Sequence, residues 1–191
     1  MKQKTVHNLE KIRYWWQEYW LLRWSVANII GWAGALLLSA MMVRLFGFGG
    51  AFLAGAFFGF GLSLPQAWIL FSADEMATRR KWIIYSAIGG FFGAFPAGIL
   101  SIIGIFNIWI AALLMGAMFG GIWGLLQSFV LVPVLGDDAY LWIAVCLVAG
   151  ALSALLTVPI LLTPIPLLFS PATIVFSLIS GHFILRWMNE N

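Results

Sequence analysis

The sequence predicts an all-α polytopic membrane bundle of six transmembrane helices, built from three helical hairpins, with both termini in the cytoplasm. Three observations predict it: the composition, the placement of the basic residues, and a glycine- and glutamine-bearing segment that occurs twice. Of 191 residues, 63% are hydrophobic and only 9% charged, where a soluble domain carries about 25% charged residues. Several apolar runs reach the roughly 20 residues that a helix needs to cross a hydrocarbon core of about 30 Å. In lipid the backbone must satisfy its own hydrogen bonds, so runs of this length are read as helices.

The elements follow in chain order. Residues 1–21 form a leader in which Tyr14, Trp15, Trp16, Tyr19 and Trp20 alternate with charges in KIRYWWQEYWLLRW. That mixture suits an aromatic belt or a helix lying in the cytoplasmic interface. The first span, about 22 to 43, exceeds a signal-peptide core and has no small-residue cleavage site behind it, so it is read as uncleaved. Further spans are expected at about 50 to 72, 82 to 103, 108 to 134, 140 to 162 and 170 to 187, with a short polar tail at residues 188–191. The transmembrane domain thus covers residues 22–187 as a single domain. Between the last two spans, TPIPLLFSP (Thr163 to Pro171) has three prolines that break a helix. Its apolarity places it in the interface or folded back into protein.

The net charge of +3 is a topology signal, because the basic residues flank hydrophobic segments and form no separate arm for nucleic acid. A cytoplasmic N-terminus puts Lys2, Lys4, Lys11, Arg13, Arg23, Arg79, Arg80, Lys81 and Arg186 inside and leaves Arg44 outside. Lys and Arg bias in short loops sets orientation, so the chain is expected N-in and C-in. The expected location is a bacterial cytoplasmic or thylakoid membrane, with the lipid bilayer as the first partner. The lone Cys146 cannot form an internal disulfide, and His7 and His182 lie too far apart in sequence to suggest a metal site. No cofactor is expected.

LAGAFFGFGLSLPQAWIL, from Leu53, and LMGAMFGGIWGLLQSFVL, from Leu114, keep eight residues in step at an interval of 61 positions. Arg23-Trp24 before Ile30-Gly31 is echoed by Lys81-Trp82 before Ile88-Gly89, and by Trp142 before Ala149-Gly150. Three hairpins follow, with His182 near the place of the glutamine in the last. On a helix turning about 100° per residue, Gly55, Gly59, Ser63 and Gln66 share one face, as do Gly116, Gly120, Gly124 and Gln127. Small residues spaced by four allow close helix approach in lipid, and Gly31 belongs to such a stripe in the first span with Ala27, Ala35 and Ser39. Gln66 and Gln127 therefore face protein, where they bond across helices, and Pro65 is expected to kink its helix.

Ser25, Asn28, Ser63, Gln66, Tyr85, Ser86, Gln127, Ser128, Ser180 and His182 fall at similar inner-leaflet depth. This polar layer is the candidate site. It is either a small-molecule or headgroup pocket or an interhelical hydrogen-bond layer, and packing is favoured because neighbouring helices can satisfy each residue. No Asp, Glu or Lys lies within a span, which disfavours ion-coupled transport. Ser128 and His182 resemble the serine and histidine of rhomboid intramembrane proteases in their placement. The glycine-flanked serine of that family is replaced by LLQSF, and its second-span histidine and asparagine are absent, so no catalytic residue is assigned and the chain is read as a non-enzyme.

The GAxxGxxxGxxQ hairpins and tryptophan-led helices resemble a group of bacterial, especially cyanobacterial, multi-pass proteins, over most of the chain. That likeness implies no activity. The chain also resembles the S components of energy-coupling-factor vitamin transporters, six-helix proteins whose small-xxx-small first helix docks a membrane partner, a face that Ala27, Gly31 and Ala35 match. Two functions are expected accordingly. The first is an accessory or scaffold subunit of a membrane complex, holding lipid or another apolar ligand and bound to a partner subunit or a second copy. The second is a substrate-binding transport subunit.

Overall fold

The computed structural model describes residues 19–103, 107–161 and 171–190. Among the described residues there is no strand, and five α-helices follow one another: α1 (Trp20–Leu70), α2 (Met76–Ile103), α3 (Ile108–Leu135), α4 (Leu141–Leu161) and α5 (Pro171–Glu190). Two 3₁₀ turns, Ala73–Glu75 and Gly136–Tyr140, link α1 to α2 and α3 to α4. The aromatic leader up to residue 18 and the segment 162–170 lie outside the described residues.

α1 is two helices in one. Gly47 sits at φ 56°, ψ −134°, a combination essentially reserved for glycine, and breaks the helix into limbs α1a (Trp20–Gly47) and α1b, which includes Leu53–Leu70. These limbs correspond to the first two expected spans, joined without a loop. Pro65 lies inside α1b, and in α1 only Gly47 leaves helical angles. Gly136 repeats the same conformation (φ 58°, ψ −135°) where α3 ends, and its N–H caps the Val132 carbonyl.

Among the described residues, three stretches are long and apolar enough to cross a membrane: Trp20–Gly47, Leu53–Leu70, and Ile108–Val158, which runs through α3 and α4. The chain is an all-helical bundle of membrane character. Its exposed surface agrees with that, since Leu22, Ile30, Leu37, Phe92, Phe129, Val148, Ile174 and Leu178 are all turned outward. Lipid tails are as apolar as leucine, so outward leucines cost nothing there and packing has to come from small residues and polar contacts.

Each helix packs on the next, and α5 returns to α1, which closes the bundle. Two end regions differ. Toward the two 3₁₀ turns, Trp20, Trp24, Trp82 and Trp142 gather with Phe71, Leu131 and Ile184 into one buried cluster. Trp24, Trp82 and Trp142 are each wholly buried and come from α1a, α2 and α4. Toward Gly47 the interior is instead framed by Ala35, Leu62, Trp123 and Phe176.

Small residues set the spacing. A Cβ on Gly55 or Gly59 would lie 2.4 Å from the Gly90 carbonyl oxygen or 2.1 Å from that of Ser86. On α3, a Cβ on Gly116 or Gly120 would lie 2.3 Å from the Gly150 oxygen or 2.1 Å from that of Cys146. Gly124 fits against the Cys146 side chain, and Gly31 against Leu62 and Pro65 of α1b. Every glycine expected to mediate packing therefore meets a neighbouring helix at a distance no side chain tolerates. Ala27, Gly31 and Ala35 are buried inside the bundle, with Ala35 against Gly61.

Candidate functional site

The polar layer separates into bonded pairs. Gln127 on α3 is fully buried; its Nε2 donates to Ser86 Oγ on α2 at 2.8 Å, and its Oε1 accepts from Trp142 Nε1 on α4 at 2.9 Å. One amide thus ties three helices. Gln66 Nε2 donates to Asn28 Oδ1 at 2.8 Å, tying α1b to α1a, while Asn28 Nδ2 donates to the Trp24 carbonyl at 2.7 Å. Trp24 Nε1 in turn donates to Ser180 Oγ on α5 at 2.9 Å. Gln66 Oε1 and Trp82 Nε1 are buried without a partner.

The remaining residues of the layer are placed otherwise. Ser63 and Ser128 donate to carbonyls of their own helices, Phe60 at 2.9 Å and Leu125 at 2.7 Å. Tyr85 is half-buried and packs its ring on Phe129. The His182 side chain is exposed, and Ser180, one half-turn earlier, takes the position of an acceptor for a tryptophan. Sequence reasoning noted Trp24, Trp82 and Trp142 as markers of hairpin starts and missed their chemistry. Their recurrence ahead of Gly31, Gly89 and Gly150 was the available signal, because a buried indole N–H needs an acceptor.

A second feature lies on the Gly47 side of this layer. A cavity of about 670 Å³ is lined by residues of every described helix, among them Trp32, Ala54, Phe58, Ala94, Ala112, Met115, Phe119, Trp123, Ala154 and Phe176. That volume falls within the roughly 300–1,000 Å³ of small-molecule sites. Its rings form a chain: Trp32 meets Phe58 edge-on at 5.0 Å, Phe58 meets Phe119 at 5.8 Å, Phe119 meets Trp123 at 6.2 Å, and Trp123 meets Phe176 at 5.7 Å. Gly55, Gly116, Gly120 and Gly150 contribute to the wall, so the residues that bring the helices together also leave the space between them.

The wall's polar groups are mostly engaged. Ser39 Oγ donates to the Ala54 carbonyl at 2.8 Å, Ser153 Oγ to that of Ala172 at 2.9 Å, and Thr157 Oγ1 to that of Ser153 at 2.8 Å. Asn28 is held as described above. Two donors are not engaged: Trp32 Nε1 and Trp123 Nε1 are buried with no acceptor, at a cost of about 1–3 kcal/mol for each such group. Among the described residues no group of three or more His, Cys, Asp or Glu side chains is arranged to hold a metal ion.

At the opposite end the turn from α1 to α2 is held electrostatically. Arg79 is buried, donates through Nε to the Phe71 carbonyl at 2.9 Å and through Nη2 to the same oxygen, and lies 4.6 Å from the centre of the Trp68 ring. The Ser72 N–H and hydroxyl both donate to Glu75 Oε2 at 2.8 Å. These bonds, the backbone one first, hold the Glu75 carboxyl below its ordinary value, with Arg79 contributing less.

No protein-family model matches the chain, and no curated protein or solved structure matches it significantly.

Proposed function

We propose that this protein is a six-span, non-catalytic membrane scaffold, N-in and C-in, that holds an apolar molecule in the cavity between its helices. The single observation that carries the reading is the cavity wall, whose side-chain hydroxyls at Ser39, Ser153 and Thr157 already donate to backbone carbonyls. A wall of that kind offers a polar or charged solute little to replace its hydration, and offers an apolar one a dry, concave surface. Three hairpins, α1a with α1b, α2 with α3, and α4 with α5, are the repeat units in this reading. The matched glycine contacts at Gly55, Gly59, Gly116 and Gly120 support them. The bias of basic residues toward the acidic-turn end supports the orientation, and in that orientation the cavity belongs to the outer half of the bilayer.

Two experiments test it. Gentle solubilisation and native mass spectrometry should find an apolar small molecule bound to the protein, and Ala112→Phe, which fills the cavity, should remove it without unfolding the bundle. Absence of any such molecule, or its retention by the filled variant, defeats the reading. For orientation, cysteines placed near Thr78 and Asp138 should be labelled only from the cytoplasm and one near Gly49 only from outside.

A substrate-binding transport subunit is the second reading, favoured by a cavity in the half that faces outside. It requires a docking face other than Ala27, Gly31 and Ala35, whose contacts are within the bundle.

A further inference from the structure

The cavity is long for its width. On α3 its lining runs from Ile108 to Trp123, about 22 Å at about 1.5 Å per residue, and on α1a from Asn28 to Ser39, about 16 Å by the same rise. Drawn out over the longer of these, a volume of about 670 Å³ leaves a mean section of only about 30 Å². The space is therefore a slot parallel to the helix axes. Its depth is at least that of one leaflet, half of a hydrocarbon core of about 30 Å.

Its two ends differ. At the polar layer Asn28, Leu62, Trp123 and Phe176 are all buried and close the floor. Asn28 is bonded there through both ends of its amide, from Nδ2 to the Trp24 carbonyl and at Oδ1 from Gln66, so the floor suits a hydrocarbon end better than a polar group. Toward Gly47 the lining becomes accessible, since Ile108 is exposed and Ala54, Ala94 and Ala112 are half-buried. The walls hold their spacing, because Gly55 meets the Gly90 backbone and Gly116 the Gly150 backbone at the level of the slot. In a membrane this mouth opens among lipid chains, the same surroundings that the outward Leu37, Phe92 and Ile174 face.

Resting on the apolar-ligand reading above, we propose that the occupant is one acyl chain of a bilayer lipid, lying along the helix axes with its methyl end at the Asn28–Trp123 floor and its headgroup left at the Gly47 end. A slot of this shape works as a ruler: a longer chain gains contacts with every added methylene until the floor is reached. The test uses octane, dodecane, hexadecane and the flat ring hydrocarbon pyrene, delivered in detergent micelles to protein freed of copurified molecules by detergent exchange. Binding is read by native mass spectrometry and by the shift in thermal unfolding. Affinity should rise from octane to hexadecane by about tenfold or more as methylene contacts accumulate, and hexadecane should exceed pyrene, which reaches along only part of the slot. Leu62→Phe, which raises the floor, should cancel the advantage of hexadecane over dodecane and leave octane bound, whereas Ala112→Phe, nearer the mouth, should weaken all three alkanes together. Affinity independent of chain length in the unmodified protein, or pyrene binding as tightly as hexadecane, overturns the chain assignment and leaves the apolar reading intact, whether or not either variant folds. A loss shared equally by all lengths in Leu62→Phe overturns the end-on orientation. Failure of all four probes, with no molecule copurified by gentle solubilisation, sinks the apolar-ligand reading itself.

Discussion

The seam between α1b and α2 and the seam between α3 and α4 are laid out alike, yet only the second has its polar groups fully paired. In both, two glycines spaced by four meet carbonyl oxygens of the neighbouring helix, Gly55 and Gly59 at Gly90 and Ser86, Gly116 and Gly120 at Gly150 and Cys146. In both, a buried glutamine stands beyond the glycines and a buried tryptophan stands on the facing helix. Trp142 donates to Gln127 at 2.9 Å, whereas Trp82 Nε1 and Gln66 Oε1 occupy the corresponding places and are unpartnered. Close packing and hydrogen bonding are thus separable: the glycines fix how near two helices come, and the amide–indole bond depends on a finer adjustment. Phe71 packs edge-on against Trp82 at 5.8 Å, and Trp142 lies between Trp82 at 6.2 Å and Phe183 at 5.9 Å, so the two indoles are held by different neighbours.

The largest expected effect tests the part the seams share. Gly59→Leu and Gly120→Leu should each destabilise the bundle by about 3 kcal/mol, since a Cβ already collides with a backbone oxygen and overpacking costs that order. Thermal unfolding in detergent and in lipid reads it. Loss at one seam alone would break the equivalence of the two.

Next come the glutamines, where the seams should differ. Gln127→Leu removes two interhelical bonds and strands the Trp142 N–H, for a loss of about 1–3 kcal/mol. Gln66→Leu removes one bond, to Asn28, and should cost about 1 kcal/mol. The same unfolding measurement ranks them, and a larger loss for Gln66 would show that its carbonyl oxygen has a partner after all.

The tryptophans sharpen the same contrast with a smaller signal. Trp142→Phe leaves Gln127 Oε1 without its donor and should lower stability by about 1 kcal/mol more than Trp82→Phe, which removes a donor that has nothing to donate to. Equal losses, measured as a double-mutant cycle with the facing glutamine, would mean that Trp82 and Gln66 bond as Trp142 and Gln127 do.

The smallest effect lies outside the seams, at the turn that begins α2. Glu75 is held ionised by Ser72, so its contribution is present above the carboxylate's unfolded pKa and is lost as pH falls through its lowered folded value. Because the group is almost fully exposed, acidification should loosen only this turn, seen as faster amide exchange at Ser72, and Glu75→Gln should make that exchange insensitive to pH. An unchanged pH response in Glu75→Gln would assign it to another group.

How much of this was legible beforehand depends on the kind of interaction. Helix positions followed from apolar run length, and α2, α3, α4 and α5 begin and end within a few residues of the expected spans except that α2 starts earlier, at Met76, because the polar RRK turn continues the helix beyond the hydrophobic run. The glycine faces were readable from their spacing, since a repeat of four keeps residues on one side of a helix. The separation of Ser180 from His182 was not, because two positions apart on a helix means nearly opposite sides, and only the packing of α5 against α1a selects one.

The sequence by itself determined the all-helical membrane character, the small-residue stripes and the burial of Gln66 and Gln127. Run length, periodicity and the cost of an unbonded amide in lipid act on each segment alone. Tertiary structure decided which partner each polar group meets, that Trp24, Trp82 and Trp142 converge, and that the other half of the interior holds a cavity beside a smaller buried cluster. Those outcomes depend on where side chains from five helices arrive together in space, and no property of a single helix specifies that.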